Sequence, residues 1–381
     1  MSLPPFQSAG LLTLGIELEL MLLDPQTLEL SAGALNLLDL MRMHADKRFF
    51  FCPEITQTMI EYNSGVHGRW HELLDELRAM RRYLLPLADE CGLRISGGGT
   101  HAFRYWNDQE FFPKERYLDL GEKYGYLSKQ FTVFGMHVHI GVGGDGDRAI
   151  ELIRSVSPWI PLLIALSVAS PFQDGFDTGF ACSRLHSLTS FPYAGAMPPF
   201  ADWAECRDYV DGLTGLGIVG SIKDFYWDIR PKSEFGTVEF RIFDTPLTVE
   251  IAAGLAGLVQ LLCAYYLARP APSPVYDVYP YNRFQACRYG LAGDMVDPWT
   301  GVRAGYLDMA KQLLDRLTPL AREFDAGKVL HVYREKLEPG LSQADHQRVV
   351  AADGGLSRLM RWQADCFASG AVASDGAAQT R

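Results

Sequence analysis

The sequence predicts an α+β protein built on one sheet, and three observations carry that prediction. Segments rich in β-branched and apolar residues alternate with longer amphipathic stretches, and the strand count suits a single sheet. Composition is that of an ordinary globular chain: 48% hydrophobic and 21% charged residues among 381 leave ample core and exclude disordered, collagenous and coiled-coil classes. Three of the strand segments also carry one apolar and one ionisable face, the pattern of strands that rest one side on a core.

Taken in order, the pattern predicts a strand near residues 12–23, a helix near 34–43, a strand over 55–63, a helix over 72–91, and short strands over 94–96 and 132–142. Helices follow over 148–170 and 203–213, then strands over 218–229 and 237–243. A long helix follows Thr248-Val249-Glu250 and stops before Arg269-Pro270. Residues 306–367 read as helical throughout. No internal repeat or domain linker is visible, so residues 1–368 read as one domain whose C-terminal part, 306–368, is helical. Residues 369–381 are small and polar enough for a flexible tail. The Pro/Gly-rich stretches 192–199 and 269–280 are long for simple connections, which makes them candidate active-site loops.

Charge and cysteines narrow the class. Thirty-five Lys and Arg against 46 Asp and Glu give a formal charge of −11, so the chain gains nothing from releasing counterions off a nucleic-acid backbone. An acidic chain that handles anions must neutralise them locally, and divalent metals with a few arginines do so. The seven cysteines are odd in number, scattered and free of C-x-x-C pairs, which reads as reduced, mostly buried thiols in a cytoplasmic protein. No signal peptide opens the sequence. The apolar segments 159–172 and 251–267 fall short of the roughly 18 to 20 residues that span a bilayer, so they read as buried helices and no membrane partner is expected. The apolar content permits a homodimer interface.

The informative feature is where ionisable residues fall on the strands. In Leu14-Gly15-Ile16-Glu17-Leu18-Glu19-Leu20 the two-residue period sends the leucines and Ile16 to one face and Glu17 and Glu19 to the other, with the two carboxylates about 7 Å apart. Met136-His137-Val138-His139-Ile140 repeats the phase with His137 and His139 opposite the apolar side, and Thr237-Val238-Glu239-Phe240-Arg241-Ile242 repeats it again. Any one such strand is ordinary in a sheet with a wet face. Jointly they are not, because carboxylates on neighbouring strands repel, and Glu17, Glu19 and Glu239 would need something cationic among them. Hard divalent ions are the natural candidate, since Mg²⁺ prefers oxygen ligands and tolerates an imidazole. Glu54 and Glu61 add two carboxylates of opposite parity. A regular strand cannot aim both at one place, so Glu54 is expected before the strand or across a bulge.

Seven motifs occur in an order that resembles the glutamate-cysteine ligase superfamily, and its bacterial carboxylate-amine ligase branch in particular. They are Gly15-Ile16-Glu17-Leu18-Glu19, Pro53-Glu54 through Glu61, Gly99-Thr100-His101, the segment from Gly135 to Val142, Trp227-Asp228-Ile229-Arg230-Pro231, Thr237-Val238-Glu239-Phe240-Arg241, and Asn282-Arg283 with Arg288-Tyr289-Gly290. The resemblance implies a fold similar to the glutamine synthetase catalytic domain: a curved, mostly antiparallel sheet forming a funnel, with helices packed outside. It further implies that Glu19, Glu54 and Glu61 hold one divalent ion, that Glu17, His137 and Glu239 hold a second beside the nucleotide phosphates, and that Arg241 faces the transferring phosphoryl group. By the same resemblance Arg230 contacts phosphate or substrate, and Arg184 lies in a region similar to the family's substrate-side loop. His139 shares the polar face of His137, where substrate or nucleotide contact and support of a neighbour are both open. The implied cofactors are ATP with Mg²⁺ or Mn²⁺, and the implied partners are a small carboxylate and an amine, with glutamate and cysteine as the default pair.

Residues 97–100, Gly97-Gly98-Gly99-Thr100, look like a phosphate-cradling loop, but no Gly-Lys-Ser/Thr follows, and a tight backbone passage is the better reading. His137-x-His139 also fits a metal-dependent oxygenase, yet that class expects a Glu shortly downstream, where Gly143-Gly144-Asp145 stands. A binding module that kept the fold without catalysis is opposed by the complete set of acidic and imidazole side chains. ATP turnover separates the three readings.

Overall fold

The computed structural model describes residues 3–44, 46–130, 132–269, 271 and 274–372. Its centre is one open antiparallel sheet of β1 (Leu14–Leu23), β2 (Phe50–Pro53), β3 (Met59–Asn63), β4 (Arg94–Ser96), β5 (Gly135–Gly141), β8 (Ile229–Lys232) and β9 (Thr237–Asp244). The spatial order is β2-β3-β1-β5-β9-β8, and β4 pairs with the far end of β1. The intervening β6 (Phe172–Gln173) and β7 (Phe176–Asp177) form a separate small hairpin, as do β10 (Asp294–Val296) and β11 (Arg303–Gly305).

Alternation along β1 is as the sequence demands: Leu14, Ile16, Leu18 and Leu20 are buried, while Glu17 and Glu19 are half-buried on the other face. Helices flank the sheet. They run α1 (Ala34–His44), α2 (Trp70–Glu90), α3 (Glu115–Tyr124), α4 (Tyr126–Lys129), α5 (Gly146–Val156), α6 (Ile160–Ser167), α7 (Arg184–Thr189) and α8 (Trp203–Gly215). After the last sheet strand come α9 (Val249–Ala268), α10 (Val278–Tyr289), α11 (Tyr306–Ala321), α12 (Gly327–Leu337) and α13 (Gln343–Ser369). Helix α9 lies on the apolar side of the sheet, and α3 and α7 lie beside its polar face. The most apolar, α9, is the core helix. Thr248 Oγ1 caps it by accepting from Ile251 N at 3.2 Å, and it packs on β1, β5, α2, α5 and α11. The two apolar stretches therefore sit inside the protein, as predicted.

Several predicted elements need correction. The helix predicted over 148–170 is two, α5 and α6, because Pro158 and Pro161 lack the N–H groups that a continuous helix would use, and a 3₁₀ turn at Ser157–Trp159 joins them. The strand predicted over 218–229 exists only from Ile229. Ser221 caps a 3₁₀ turn at Ile222–Asp224 instead, and Phe225 and Trp227 bury their rings, Trp227 making only an isolated bridge to Gly195. The strand predicted over 55–63 begins at Met59, and a separate edge strand, β2, precedes it. Residues 269–280 are not all loop, since α10 starts at Val278, and Pro280 sits in the first turn, where a missing N–H costs nothing. Helices α3, α4 and α7 have no counterpart in the prediction. The expected tail begins one residue late: α13 runs through Ser369 and ends at Gly370 in the left-handed conformation, and residues 373–381 lie outside the described residues.

The glycine run 97–100 is a tight passage. A Cβ at Gly97 would stand 2.3 Å from the Pro246 carbonyl oxygen, and one at Gly99 would stand 2.5 Å from the Asp244 carboxyl carbon. Next to it, His101 is buried, with Nε2 2.9 Å from the Leu28 carbonyl and Nδ1 accepting from Arg104 N at 3.1 Å. Burial pushes its imidazole down to about 4. The unfolded chain then binds a proton that the folded chain refuses between the usual value near 6.5 and about 4. Stability should thus fall by about 3 kcal/mol on acidification through that window, at about 1.4 kcal/mol per unit. In urea titrations the gap between wild type and His101→Gln should narrow as pH drops from 7 to 4; parallel curves would count against a neutral buried His101.

Candidate active site

The polar face of the sheet is assembled by register. Glu19 lies opposite Glu61 on β3, Glu17 opposite His137 on β5, His139 opposite Glu239 on β9, and Glu239 opposite Arg230 on β8. A β-bulge between Met136 and Val138 shifts the β5–β9 pairing beside His137. The resulting cavity, about 270 Å³, has Glu17, Glu19, Glu54 and Glu61 on its wall together with His137. Arg184, Arg230 and Arg241 also line it.

At one end stands a cluster of three carboxylates. Glu54 follows β2 and precedes β3, outside the alternation of either strand, which resolves the parity conflict with Glu61 in the way the sequence required. Burial, reinforced by Glu61 and Glu19, pushes the Glu54 carboxyl well above the usual range. Burial raises Glu61 too, with Glu17 adding to the effect. Glu19 is pushed up to about 7 by burial, against the pull of Arg184. Cys52, opposite Glu61 in the register, donates its thiol to Glu61 Oε1 at 3.2 Å, and Asn63 donates to the same oxygen at 2.8 Å. Three buried oxygen-donor groups that repel one another fit a hard divalent cation.

The middle of the site differs. Burial alone would raise the Glu17 carboxyl, but hydrogen bonds with His137 and His139 hold it well below the usual range. His137 is pushed down to about 4 by burial and by Arg241, so near neutral pH it is an uncharged imidazole. Its Nδ1 lies 2.7 Å from the ionised Glu17 and must be the protonated nitrogen, which leaves the Nε2 lone pair available. His139 does not line the cavity. It stands beside Glu17, with Nε2 3.3 Å from Oε1 and Nδ1 3.1 Å from Thr237 Oγ1. Among the described residues, the ligating atoms of Glu17, His139 and Glu239 come within 4.8 Å of one another, so His139 rather than His137 joins that group.

Glu239 is fully buried and already compensated. Burial would raise it, but Arg230 and Arg241 hold it well below the usual range. Arg230 donates through Nε at 2.6 Å and Nη2 at 3.3 Å to the Glu239 carboxylate, and its Nη1 reaches the carbonyls of Ile222 and Phe225. Four of its five N–H groups are thereby directed at protein, so Arg230 positions Glu239 more than it faces the cavity. Arg241 makes one such bond, through Nη1 to Glu239, and lines the cavity. Arg184 is not the surface residue that a lone arginine usually is. It is buried, bonds the Arg241 carbonyl through Nη2, and leaves Nε and Nη1 without partners. It passes over Gly135, where a Cβ would stand 1.9 Å from Nη2.

Sequence reasoning missed Arg116 on α3, Lys223 on the 3₁₀ turn and Lys232 on β8, all of which line the cavity. Lys232 has the parity of Arg230 and was within reach of the alternation rule. The other two sit on elements whose position no local pattern announces.

An open antiparallel sheet flanked by helices thus carries a cavity lined by carboxylates and arginines. A family model, glutamate-cysteine ligase family 2, matches residues 13–361, and the chain belongs to that family. It is 42% identical over 362 residues to a protein of Janthinobacterium sp. (strain Marseille) provisionally named glutamate–cysteine ligase 2, covering 94% of this chain and 97% of that one. A relative with the same provisional name from Bordetella avium (strain 197N) is 46% identical over 344 residues, covering 89% of this chain and 84% of that one. Among solved structures, the glutamate–cysteine ligase of Francisella tularensis in complex with AMP superposes with a TM-score of 0.70 at 14% identity, over 97% of this chain and 91% of that one. The ligase PafA, in complex with the ubiquitin-like protein Pup, gives a TM-score of 0.55 at 11% identity, over 92% of this chain and 71% of that one. These distant likenesses show the fold. The family makes the chain an ATP-dependent ligase, which sets aside the oxygenase and the non-catalytic module.

Proposed function

We propose that the protein joins a small carboxylate to an amine at the expense of ATP, through an acyl phosphate, with glutamate and cysteine as the default substrates. One observation carries the reading: four carboxylates and six Lys and Arg side chains line a single cavity, and among the described residues none of the four carboxylates is ion-paired with a Lys or Arg. A carboxylate is a poor electrophile. Its oxygen must first attack the γ-phosphorus, releasing ADP, and the amine then displaces phosphate from the acyl carbon. The first step brings two anions together, and it requires charge compensation at the phosphoryl oxygens.

Glu19, Glu54 and Glu61 are the residues suited to hold one Mg²⁺ or Mn²⁺, and Glu17 with Glu239 and a flanking histidine, His137 or His139, would hold another. Bound there, divalent ions would supply charge stabilisation to the phosphates. Arg241 would meet the transferring phosphoryl group and Arg184 would hold an anionic substrate group, a reading supported by their lining the cavity and by the two unpartnered nitrogens of Arg184. Arg230 keeps Glu239 oriented and ionised. The seven cysteines form no disulfide, which suits a reducing cytoplasm.

A phosphate-release screen over pairs of amino acids, with Mg²⁺ or Mn²⁺, tests the proposal. ADP should appear only when both a carboxylate and an amine substrate are supplied. ADP formation indifferent to the amine, or no release with any pair, would sink the carboxylate-amine reading.

A further inference from the structure

The two long loops singled out by their length do not serve the carboxylate cavity. Among the described residues, neither 192–199 nor 269–280 contributes to its wall. They instead enclose a second cavity of about 390 Å³ behind β8. Ile229 lines this cavity and Arg230, its neighbour, lines the first, so alternate residues of one strand face the two spaces. Volume and character are those of a small-molecule site, since such pockets run from about 300 to 1,000 Å³ and are mostly apolar. Pro161, Phe200 and Ile229 represent its greasy wall.

The polar side chains on that wall decide what it can hold. Tyr279 donates its hydroxyl to Asp228 at 2.8 Å, and Ser157 donates to the Ile153 carbonyl at 2.7 Å. Tyr276 donates to the Met197 carbonyl, and Asn282 exchanges two hydrogen bonds with the Val296 backbone. Each hydroxyl thus spends its one proton on the protein, and Asn282 spends one amide hydrogen and its carbonyl oxygen. Arg154 spends little: it makes one bond, Nη1 to the Ala201 carbonyl at 3.3 Å, and no carboxylate among the described residues pairs with it. A polyol or nucleotide would leave its polar groups unmet here, whereas an apolar body with a single negative charge matches both the wall and the one available cation.

We propose that the cavity behind β8 is a second ligand site, one that takes a small apolar monocarboxylate with its charge on Arg154. Fluorescence of anilinonaphthalenesulfonate bound to the whole protein, displaced by octanoate or by its neutral analogue octanamide, tests this without reference to ligase activity. Octanoate should displace one dye per chain at concentrations about tenfold or more below those of octanamide. Arg154→Gln should erase that preference, and Ala196→Phe, which fills the loop side of the cavity, should weaken both displacers. Neither substitution touches the carboxylate site, so phosphate release stays intact in both. Equal potency of the two displacers, or displacement untouched by both substitutions, overturns the proposal. So does dye binding that appears only as dimers dissociate on dilution, which would mean that a second chain covers this face.

Discussion

Glu19→Gln is expected to stabilise the metal-free protein at pH 8 while weakening its response to Mn²⁺ and abolishing its phosphate release. The half-buried carboxyl is pushed up to about 7 from the usual 4.5, chiefly by burial, with Glu61 opposite it. Its folded-state value lies above its unfolded one, so the folded chain binds the extra proton. The stability that proton confers is complete below about 4.5 and is lost as pH rises through about 7. The shift corresponds to about 3 kcal/mol, at about 1.4 kcal/mol per unit. Glutamine keeps an oxygen for the Gly135 amide, which donates to Glu19 in the wild type, and carries no charge to bury. The variant should therefore gain on wild type between pH 4.5 and 7, and hold the gain at pH 8.

Saturating Mn²⁺ reverses the order. A cation at one thousand times its dissociation constant adds about 4.1 kcal/mol to whichever chain binds it, and only the wild type keeps three carboxylates there. Thermal melts at pH 5 and 8, with EDTA or Mn²⁺, give all four combinations. An identical Mn²⁺ shift in both chains would remove Glu19 from the cation site. Unchanged pH dependence would deny the charge conflict itself.

Legibility in the sequence followed the range of the forces involved. Period-two alternation is local, and it placed Glu17, Glu19, His137, Glu239 and Arg241 on one side before any strand was paired. The resemblance to a ligase family supplied Glu54, whose place on the turn between β2 and β3 no alternation rule could give, because it belongs to neither strand. What stayed hidden depends on distant contacts. Arg184 reads as an ordinary surface residue until Gly135, which lies far off in the chain, makes room for it. The role of Arg230 is invisible without the β8–β9 register that sets it against Glu239. The segment 218–229 has the apolar content of a strand, but Phe225 and Trp227 satisfy it by packing on Tyr209 and Phe200, and the bridge that Trp227 makes to Gly195 does not extend into a strand. The lengths of 192–199 and 269–280 made them candidate active-site loops, yet chain length carries no information about which cavity a loop borders, and neither borders the carboxylate one among the described residues.

Glu239→Gln should cost both the reaction and the fold, and a second substitution separates the two. Glu239 is the shared counter-ion of two arginines. Arg230 Nε lies 2.6 Å from Oε2, Arg241 donates to Oε1, and His137 Nδ1 stands 3.7 Å from that oxygen. None of its surface meets solvent. An amide in its place offers one acceptor and turns an NH₂ toward guanidinium donors, leaving Arg230 buried without a charge partner. Breaking a buried pair from one side costs about 3–5 kcal/mol, whereas replacing both partners by apolar groups of similar size is often neutral. The single variant should therefore melt well below wild type, and Arg230→Met/Glu239→Leu should recover most of the loss, because Arg241 is partly exposed and can turn to water. Neither chain should release phosphate, since both lack the carboxylate. Phosphate release by the refolded double variant would show that Glu239 serves only to balance charge. A single variant as stable as wild type would show that the two arginines do not depend on it.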